Sequence, residues 1–295
     1  ALSILGYSKN QKIYSKRFVQ YDCVISVDFE NHKIIYPEDK GFKVNDTTTC
    51  NFEHPENFVV LECVSRLLDK GYRPEHLELE KRWTLGHEQK SGKADICVHD
   101  VNGTDMLCII ECKTDGQEYT KELGNMNSDG GQLFSYWQQE RSAKWLILYA
   151  STIAGGKIEY TTESVDCSDD ANILELAKKD ESIRVYEDAH TVNELFDVWS
   201  ETYEKRVCGD VVFRDDTVSY SIGVKPLRKK DLIDFSEDDK IVNNFEEILR
   251  HNNVSDKENA FNRLIALFIC KLVDEIQKDE SEIVEFQYKI GTDTY

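Results

Sequence analysis

The chain has 295 residues, a hydrophobic fraction of 40% and a formal net charge of −20. This length allows one large domain or two modest ones, and the composition is that of a folded globular protein and not of a disordered one. No apolar run approaches the roughly 18 residues needed to cross a bilayer, so we expect no membrane span. The N-terminal residues contain neither a basic leader nor a long apolar stretch, and no secretory signal is visible.

The nine cysteines form an odd-numbered set without a Cys-x-x-Cys pair. Several of them lie inside apolar runs, namely Cys97, Cys108 and Cys270. This pattern suits reduced thiols in a cytosolic interior better than a disulfide framework or a zinc site. We therefore expect a cytoplasmic protein.

The first elements predicted along the chain are two strands and a helix. Alternation of apolar and polar residues predicts strands over residues 23–27 and 33–36. A helix is expected over residues 56–70, since Pro55 precedes it and Gly71 is a plausible stop.

The strongest local pattern lies in the middle of the chain. It predicts a strand over residues 94–98, a turn at Asn102-Gly103 and a second strand over 106–110, which is apolar throughout, as in a strand buried on both faces. A helix over 132–141 and a buried strand over 145–150 follow. This order predicts an α/β fold with a mixed central sheet.

The pattern is weaker after residue 157. It predicts helices over 172–179 and 192–203, and a hairpin made of residues 210–213 and 218–222. A basic patch at residues 228–230 leads into two further helices, and the second carries an apolar stripe on one face: Phe261, Leu264, Ile265, Phe268, Ile269, Leu272 and Ile276. The predicted domains are residues 1–228, with a core at about residues 30–150, and residues 229–295.

Three charged side chains in the middle of the chain are placed so that they can form one metal-binding site. Glu111 and Lys113 emerge on the same face of a strand because side chains alternate, and Asp95 lies on the strand one hairpin upstream. Carboxylate oxygens bind Mg²⁺, and a lysine beside them can orient a water molecule and offset negative charge. The alternative is an exposed strand end that carries ordinary charges.

The residues around this triplet resemble the PD-(D/E)xK nuclease superfamily, and more closely the N-terminal nuclease region of Type I restriction subunits. The matching segments are Gly92-Lys93-Ala94-Asp95-Ile96, Ile109-Ile110-Glu111-Cys112-Lys113 and the Gln-x-x-x-Tyr motif Gln132-Leu133-Phe134-Ser135-Tyr136. Ala94 departs from the pattern, because the superfamily name implies proline there. The resemblance implies a restriction-endonuclease-like mixed sheet flanked by helices, and Mg²⁺-dependent cleavage of DNA, with Mn²⁺ able to replace Mg²⁺.

The same resemblance assigns roles to individual residues. It implies the following catalytic residues: Asp95, Glu111, Lys113, Gln132 and Tyr136. The expected metal ligands are Asp95, Glu111, Glu62 and the backbone carbonyl of Cys112, whereas Lys93, Gln132 and Tyr136 are expected to contact nucleic acid. Two assignments keep an alternative: Glu62 can instead pair with Arg66 on its own helix, and Lys93 can be merely solvated. Glu56 is the other acidic candidate of this helix, although it equally suits the helix N-terminus.

The C-terminal segment is similar to the helical N-terminal region of Type I-like DNA adenine methyltransferases, at residues 245–250, 260–264 and 271–275. This resemblance implies a fused prokaryotic restriction–modification polypeptide, in which methyltransferase and target-recognition modules are further partners and S-adenosylmethionine binds only the methyltransferase. A simple helical packing subdomain is the alternative for this segment.

The negative charge opposes the binding of double-stranded DNA, since lysine and arginine normally neutralise its phosphates. Sequence readout and most phosphate contacts would then belong to the other modules. The alternative function is that of a non-catalytic nuclease-like module for protein interaction or allosteric control.

Overall fold

A computed structural model describes residues 2–83, 92–223, 227–232 and 257–286, and the side chains of the last range from residue 265 onward. The chain divides into two compact units, Ala1–Asp215 and Asp216–Tyr295. This division precedes the predicted boundary at residues 228–229. Among the described residues, no helix is both long enough and apolar enough to span a membrane.

A four-stranded antiparallel sheet forms the N-terminal part of the first unit. Its strands follow chain order: β1 (Ser8–Asn10), β2 (Ile13–Phe18), β3 (Cys23–Asp28) and β4 (Lys33–Ile35). Along β3 the apolar residues Cys23, Ile25 and Val27 are buried, as strand alternation requires. The two strands predicted in this region are confirmed.

A seven-stranded mixed sheet carries the rest of the first unit. Its strands are β5 (Lys43–Val44), β6 (Leu77–Arg82), β7 (Lys93–His99), β8 (Met106–Thr114), β9 (Trp145–Ala154), β10 (Lys157–Asp166) and β11 (Val207–Cys208). They lie side by side in the order β11-β10-β9-β8-β7-β6-β5. The pairs β5–β6 and β8–β9 are parallel and the other neighbours are antiparallel, so the predicted α/β class with a mixed sheet is confirmed.

Five α-helices accompany this sheet in the described part of the first unit: α1 (Glu56–Lys70), α2 (Gln117–Asp129), α3 (Gly131–Gln139), α4 (Ala171–Ala177) and α5 (Val192–Glu201). Helix α1 has the predicted bounds. It ends at Gly71, whose φ of +115° is left-handed, a conformation that glycine adopts without steric cost.

Helices cover both faces of the sheet. Leu148 of β9 packs in a buried cluster with Leu133 of α3 and Trp199 of α5. The next residue, Tyr149, points to the opposite face and there donates a hydrogen bond to Glu62 of α1. The site described below is therefore built on a sheet that is packed from both sides.

The predicted hairpin at residues 210–213 and 218–222 is wrong, because both segments are turns and bends. The Asp210 carboxylate accepts hydrogen bonds from the backbone N–H groups of Val212 and Phe213, at 3.1 and 2.8 Å. This local bonding favours a turn over a strand ladder. The short strand β11 pairs with β10 instead.

The described part of the second unit contains the helix α6 (Lys257–Gln277), in agreement with the second helix predicted there. Of the predicted apolar stripe, Ile265, Phe268, Ile269, Leu272 and Ile276 are exposed. The side chains of Phe261 and Leu264, and the segment 245–250, lie outside the described residues. The basic patch contributes a short 3-10 helix, Lys229–Asp231.

Candidate active site

The pairing of β7 with β8 brings Asp95 next to Glu111. Cys97 lies opposite Ile109 in this ladder, and continuing the register by two residues sets Asp95 opposite Glu111. The Oδ2 atom of Asp95 accepts a hydrogen bond from the backbone N–H of Cys112 at 2.8 Å. The two carboxylates that the sequence singled out therefore belong to one site.

Both carboxylates are almost fully buried, at 8% exposure for Asp95 and 2% for Glu111. Burial raises the pKa of Asp95 well above its usual range, and the negative charges of Glu111 and Glu56 raise it further. Burial also raises the pKa of Glu111 to about 7, although Lys113 opposes this shift. The Oε2 atom of Glu111 is buried and has no hydrogen-bond partner among the described residues. The ionised forms of these carboxyl groups are thus disfavoured in the site without a further cation.

Lys113 is the cation of this site. Its Nζ atom forms an ion pair with Oε1 of Glu111 and lies 3.7 Å from Oε2 of Glu56. Burial lowers the pKa of Lys113, but Glu111, Asp95 and Glu56 together raise it above the ordinary lysine value. The neighbouring carboxylates therefore favour the charged ammonium form of Lys113.

Of the two acidic candidates on α1, Glu56 is the one that approaches the site. Its carboxylate faces Lys113, and burial raises its pKa. Glu62 instead accepts hydrogen bonds from Arg66, whose Nε lies 3.0 Å from Oε1, and from the hydroxyl of Tyr149. The structure therefore favours the helix ion pair as the role of Glu62. The two positions are six residues apart, which at about 100° per residue puts them on different helix faces.

Gln132 and Tyr136 form a hydrogen-bonded pair on α3. Nε2 of Gln132 donates to the Tyr136 hydroxyl at 3.2 Å, and that hydroxyl donates to the backbone carbonyl of Lys93 at 2.7 Å. Burial raises the pKa of Tyr136, and the charges of Glu111 and Asp95 raise it further, so its hydroxyl keeps its proton. The predicted Gln-x-x-x-Tyr pair thus ties α3 to the start of β7.

Gly92 allows this close approach. A Cβ atom at Gly92 would lie 2.8 Å from Cε1 of Tyr136, closer than real Cβ contacts. The ring of Tyr136 stacks on Trp83 with centroids 5.7 Å apart. Gly92 is therefore required for the packing of the tyrosine beside the carboxylates.

The side chain of Lys93 is held by two carboxylates that the sequence did not single out. Its ammonium forms an ion pair with the buried Glu80 and lies 3.8 Å from Oδ2 of Asp46. Asp46 also accepts a hydrogen bond from Arg82, which is the largest of the effects that lower the pKa of Asp46 to about 2. The predicted contact between Lys93 and nucleic acid would have to compete with these ion pairs.

Within the described ranges, no group of three or more His, Cys, Asp and Glu residues is arranged to hold a metal ion. Mg²⁺ does not require such a group, because it is commonly bound through one or two carboxylates, with water and substrate phosphates in the remaining positions. Asp95 and Glu111 provide these oxygens. The buried Oε2 of Glu111 has no hydrogen-bond partner among the described residues, and a cation or a proton would satisfy it. The donor set therefore fits a hard divalent cation.

No protein-family model matches the chain, and no curated protein matches it either.

Proposed function

We propose that the chain is the nuclease domain of a restriction–modification enzyme of the PD-(D/E)xK kind, and that it hydrolyses phosphodiester bonds of double-stranded DNA with Mg²⁺ or Mn²⁺. The observation that carries the proposal is the pair of buried carboxylates, Asp95 and Glu111, on adjacent strands with Lys113 beside them. Buried carboxylates of raised pKa are costly for folding alone and are characteristic of functional sites.

Asp95 and Glu111 would hold the cation through their carboxylate oxygens. The N–H of Cys112 points to Asp95, and in a strand the N–H and C=O of one residue face the same neighbouring strand. The Cys112 carbonyl is thus directed toward the same place and suits a third ligand. A bound Mg²⁺ supplies a Lewis acid that acidifies a water molecule and stabilises charge on a phosphate. Glu56 lies close enough to contribute through Lys113 or through a bound water molecule.

Lys113 would act as a fixed positive charge. The neighbouring carboxylates favour its charged form, and an ammonium can hold a water molecule in line with the phosphorus and offset charge in the transition state. In the described arrangement Lys113 is paired with Glu111. Neutralisation of that carboxylate by a cation would release the ammonium for this role.

The Gln132–Tyr136 pair would present hydrogen-bond donors beside the reacting phosphate. The Tyr136 hydroxyl is already committed to the Lys93 carbonyl, so the amide of Gln132 is the group of this pair with hydrogen-bonding capacity left for the DNA. Methyltransferase and target-recognition modules of the same polypeptide or complex would supply sequence readout and most phosphate contacts.

Calorimetric titration of Mn²⁺ and Mg²⁺ into the chain tests this proposal. We expect one cation to bind the wild-type protein and binding to be lost in Asp95→Asn and Glu111→Gln, which remove charge with little change of shape. Glu38→Gln is the matched control, since Glu38-x-Lys40 is another Glu-x-Lys triplet but lies exposed in a 3-10 helix.

Nicking of supercoiled plasmid by the same variants is the second measurement. Cation binding and nicking that both disappear in the Asp95 and Glu111 variants, and persist in the Glu38 variant, would support a nuclease. A folded wild-type protein without cation binding would instead favour the non-catalytic module for protein interaction or allosteric control, which the net charge of −20 also suits.

A further inference from the structure

The corner between α2 and α3 contains a buried carboxylate, Glu122, which is 7% exposed. Its Oε1 atom accepts a hydrogen bond from the backbone N–H of Gln132 at 2.9 Å, and its Oε2 atom accepts one from Nδ2 of Asn125 at 3.0 Å. The N–H of Gln132 is one of the first four of α3 and has no partner within the helix. A carboxylate at a helix N-terminus is also favoured by the helix dipole.

Two glycines allow the backbone to turn closely around this carboxylate. Gly130 and Gly131 have left-handed φ values of +89° and +55°, which lets α3 start directly after α2 ends. A Cβ atom at Gly131 would lie 2.6 Å from Oε1 of Glu122 and 3.1 Å from the backbone nitrogen of Met126. The carboxylate is therefore enclosed by the corner, and a larger residue at Gly131 would displace it.

Glu122 is connected to the candidate active site through one residue. The backbone N–H of Gln132 donates to Glu122, and the side chain of Gln132 donates to the Tyr136 hydroxyl. That hydroxyl in turn donates to the backbone carbonyl of Lys93, two residues before Asp95. The start of α3 thus sets the position of the Gln132 amide, which contacts the tyrosine that lies near Glu111 and Asp95.

We propose that Glu122 is a positioning residue for cleavage: it fixes the first turn of α3 and so orients the Gln132 side chain toward the bound phosphate. Its effect on cleavage rests on the proposed function. Its effect on α3 does not, and the two can be measured separately.

Amide hydrogen exchange at Gln132 measures the structural part. Removal of the acceptor in Glu122→Ala should speed exchange of this amide by about 10-fold, the effect expected from one charge-assisted hydrogen bond. Glu122→Gln keeps an acceptor oxygen and should restore most of the protection. Glu175→Ala, which removes an exposed carboxylate from α4, is the charge-matched control and should leave the exchange unchanged.

A double-mutant cycle with Gln132 measures the functional part. Glu122→Ala should lower plasmid nicking about 10-fold, yet it should add little in a Gln132→Ala background, because the group that it orients is already absent. Mn²⁺ affinity should stay within about twofold of wild type, since Asp95 and Glu111 are untouched. Glu122→Gln should recover most of the nicking activity.

Two results would overturn the proposal: Gln132 exchange that does not change in Glu122→Ala, or a loss of nicking that is the same in the wild-type and Gln132→Ala backgrounds. The second result would indicate general destabilisation and not positioning. Failure of the wild-type chain to bind Mn²⁺ or to nick plasmid would refute the proposed function, whereas exchange at Gln132 would still decide whether Glu122 holds the helix.

Discussion

Burial of Glu111 should lower the free energy of unfolding of the chain as the pH rises, and a bound divalent cation should remove this effect. The pKa of Glu111 rises from 4.5 to about 7 on folding. Because a raised carboxyl pKa means that the folded state holds its proton more tightly, stability is lost as the pH rises from the unfolded value through the folded one. At about 1.4 kcal/mol for each pH unit, the loss reaches about 3 kcal/mol. Glu111 is 2% exposed, so solvent screens little of it.

Urea denaturation of the wild type and of Glu111→Gln checks this value. In EDTA we expect the wild type to lose about 3 kcal/mol relative to the variant between about pH 4.5 and about pH 8. The ion pair with Lys113 forms only with the ionised carboxylate, so its contribution is already contained in the folded pKa of Glu111 and in the expected pH dependence. Saturating Mg²⁺ at about pH 8 should restore the wild type, because a ligand that binds only the folded state stabilises it. The same addition should leave the variant unchanged.

A stability difference between these two proteins that stays constant within about 0.5 kcal/mol over this pH range would refute the reasoning. It would mean that Glu111 titrates alike in the folded and unfolded states. Glu38→Gln, a substitution at an exposed residue outside the site, is again the control.

Three further substitutions test the packing around the site by urea denaturation. Glu80 has a left-handed φ of +56° within β6. Both Glu80→Gly and Glu80→Ala lose the ion pair with Lys93, but the glycine variant should be about 1 kcal/mol more stable, because glycine adopts this φ without strain. Equal stabilities of the two variants would contradict a strained backbone at this position. Gly92→Ala should destabilise the fold by about 1–3 kcal/mol, because its Cβ atom would meet the Tyr136 ring at 2.8 Å; an unchanged midpoint would rule out this close contact. Tyr149→Phe should cost about 1–3 kcal/mol, since the buried Glu62 loses a donor; a neutral effect would place a water molecule there.

The elements that the sequence predicted well are those with strong local patterns. Helix α1 was predicted with its observed bounds because Pro55 precedes its first turn and Gly71 ends it. The apolar run before Glu111 identified β8, and the alternation of strands then placed Glu111 and Lys113 on one face. This part of the site follows from period-two geometry and one hairpin.

Several elements of the first unit were missed, and two of them show a partial pattern in the sequence. In α2, Tyr119, Leu123 and Met126 follow helical spacing, but they stand among weak helix formers such as Gly124 and Asn125. In β10, Ile158 and Tyr160 alternate with charged or polar residues, whereas Thr162 and Ser164 continue the same face as polar side chains. Both patterns become decisive only with the tertiary contacts that bury one face.

The residues that contact the site from other elements could not be predicted from the sequence, for a different reason. Glu122 acts through a hydrogen bond to a residue ten positions away, and Glu80 meets Lys93 only through the pairing of β6 with β7. A choice between Glu56 and Glu62 likewise requires the direction of α1 over the sheet. Such contacts depend on strand register and helix orientation, which composition and periodicity do not determine.

For the proposed binding of DNA, the ion pairs around the site predict an unusual salt dependence. Lys113, Lys93 and Arg82 each lie against a carboxylate, so contact with a phosphate must first separate an existing pair. Few counterions would then be released, and the slope of log K against log[salt] should be about −1 to −3 and not the value of about −5 to −9 of a protein with six to ten phosphate contacts. Fluorescence anisotropy with labelled duplex measures it, with Ca²⁺ used to bind without cleavage. We expect binding to depend more on Ca²⁺ than on NaCl, because the cation neutralises Glu111 and releases Lys113. A slope steeper than about −6, together with binding that does not depend on Ca²⁺, would show that lysine and arginine side chains elsewhere on the surface, and not this site, hold the DNA.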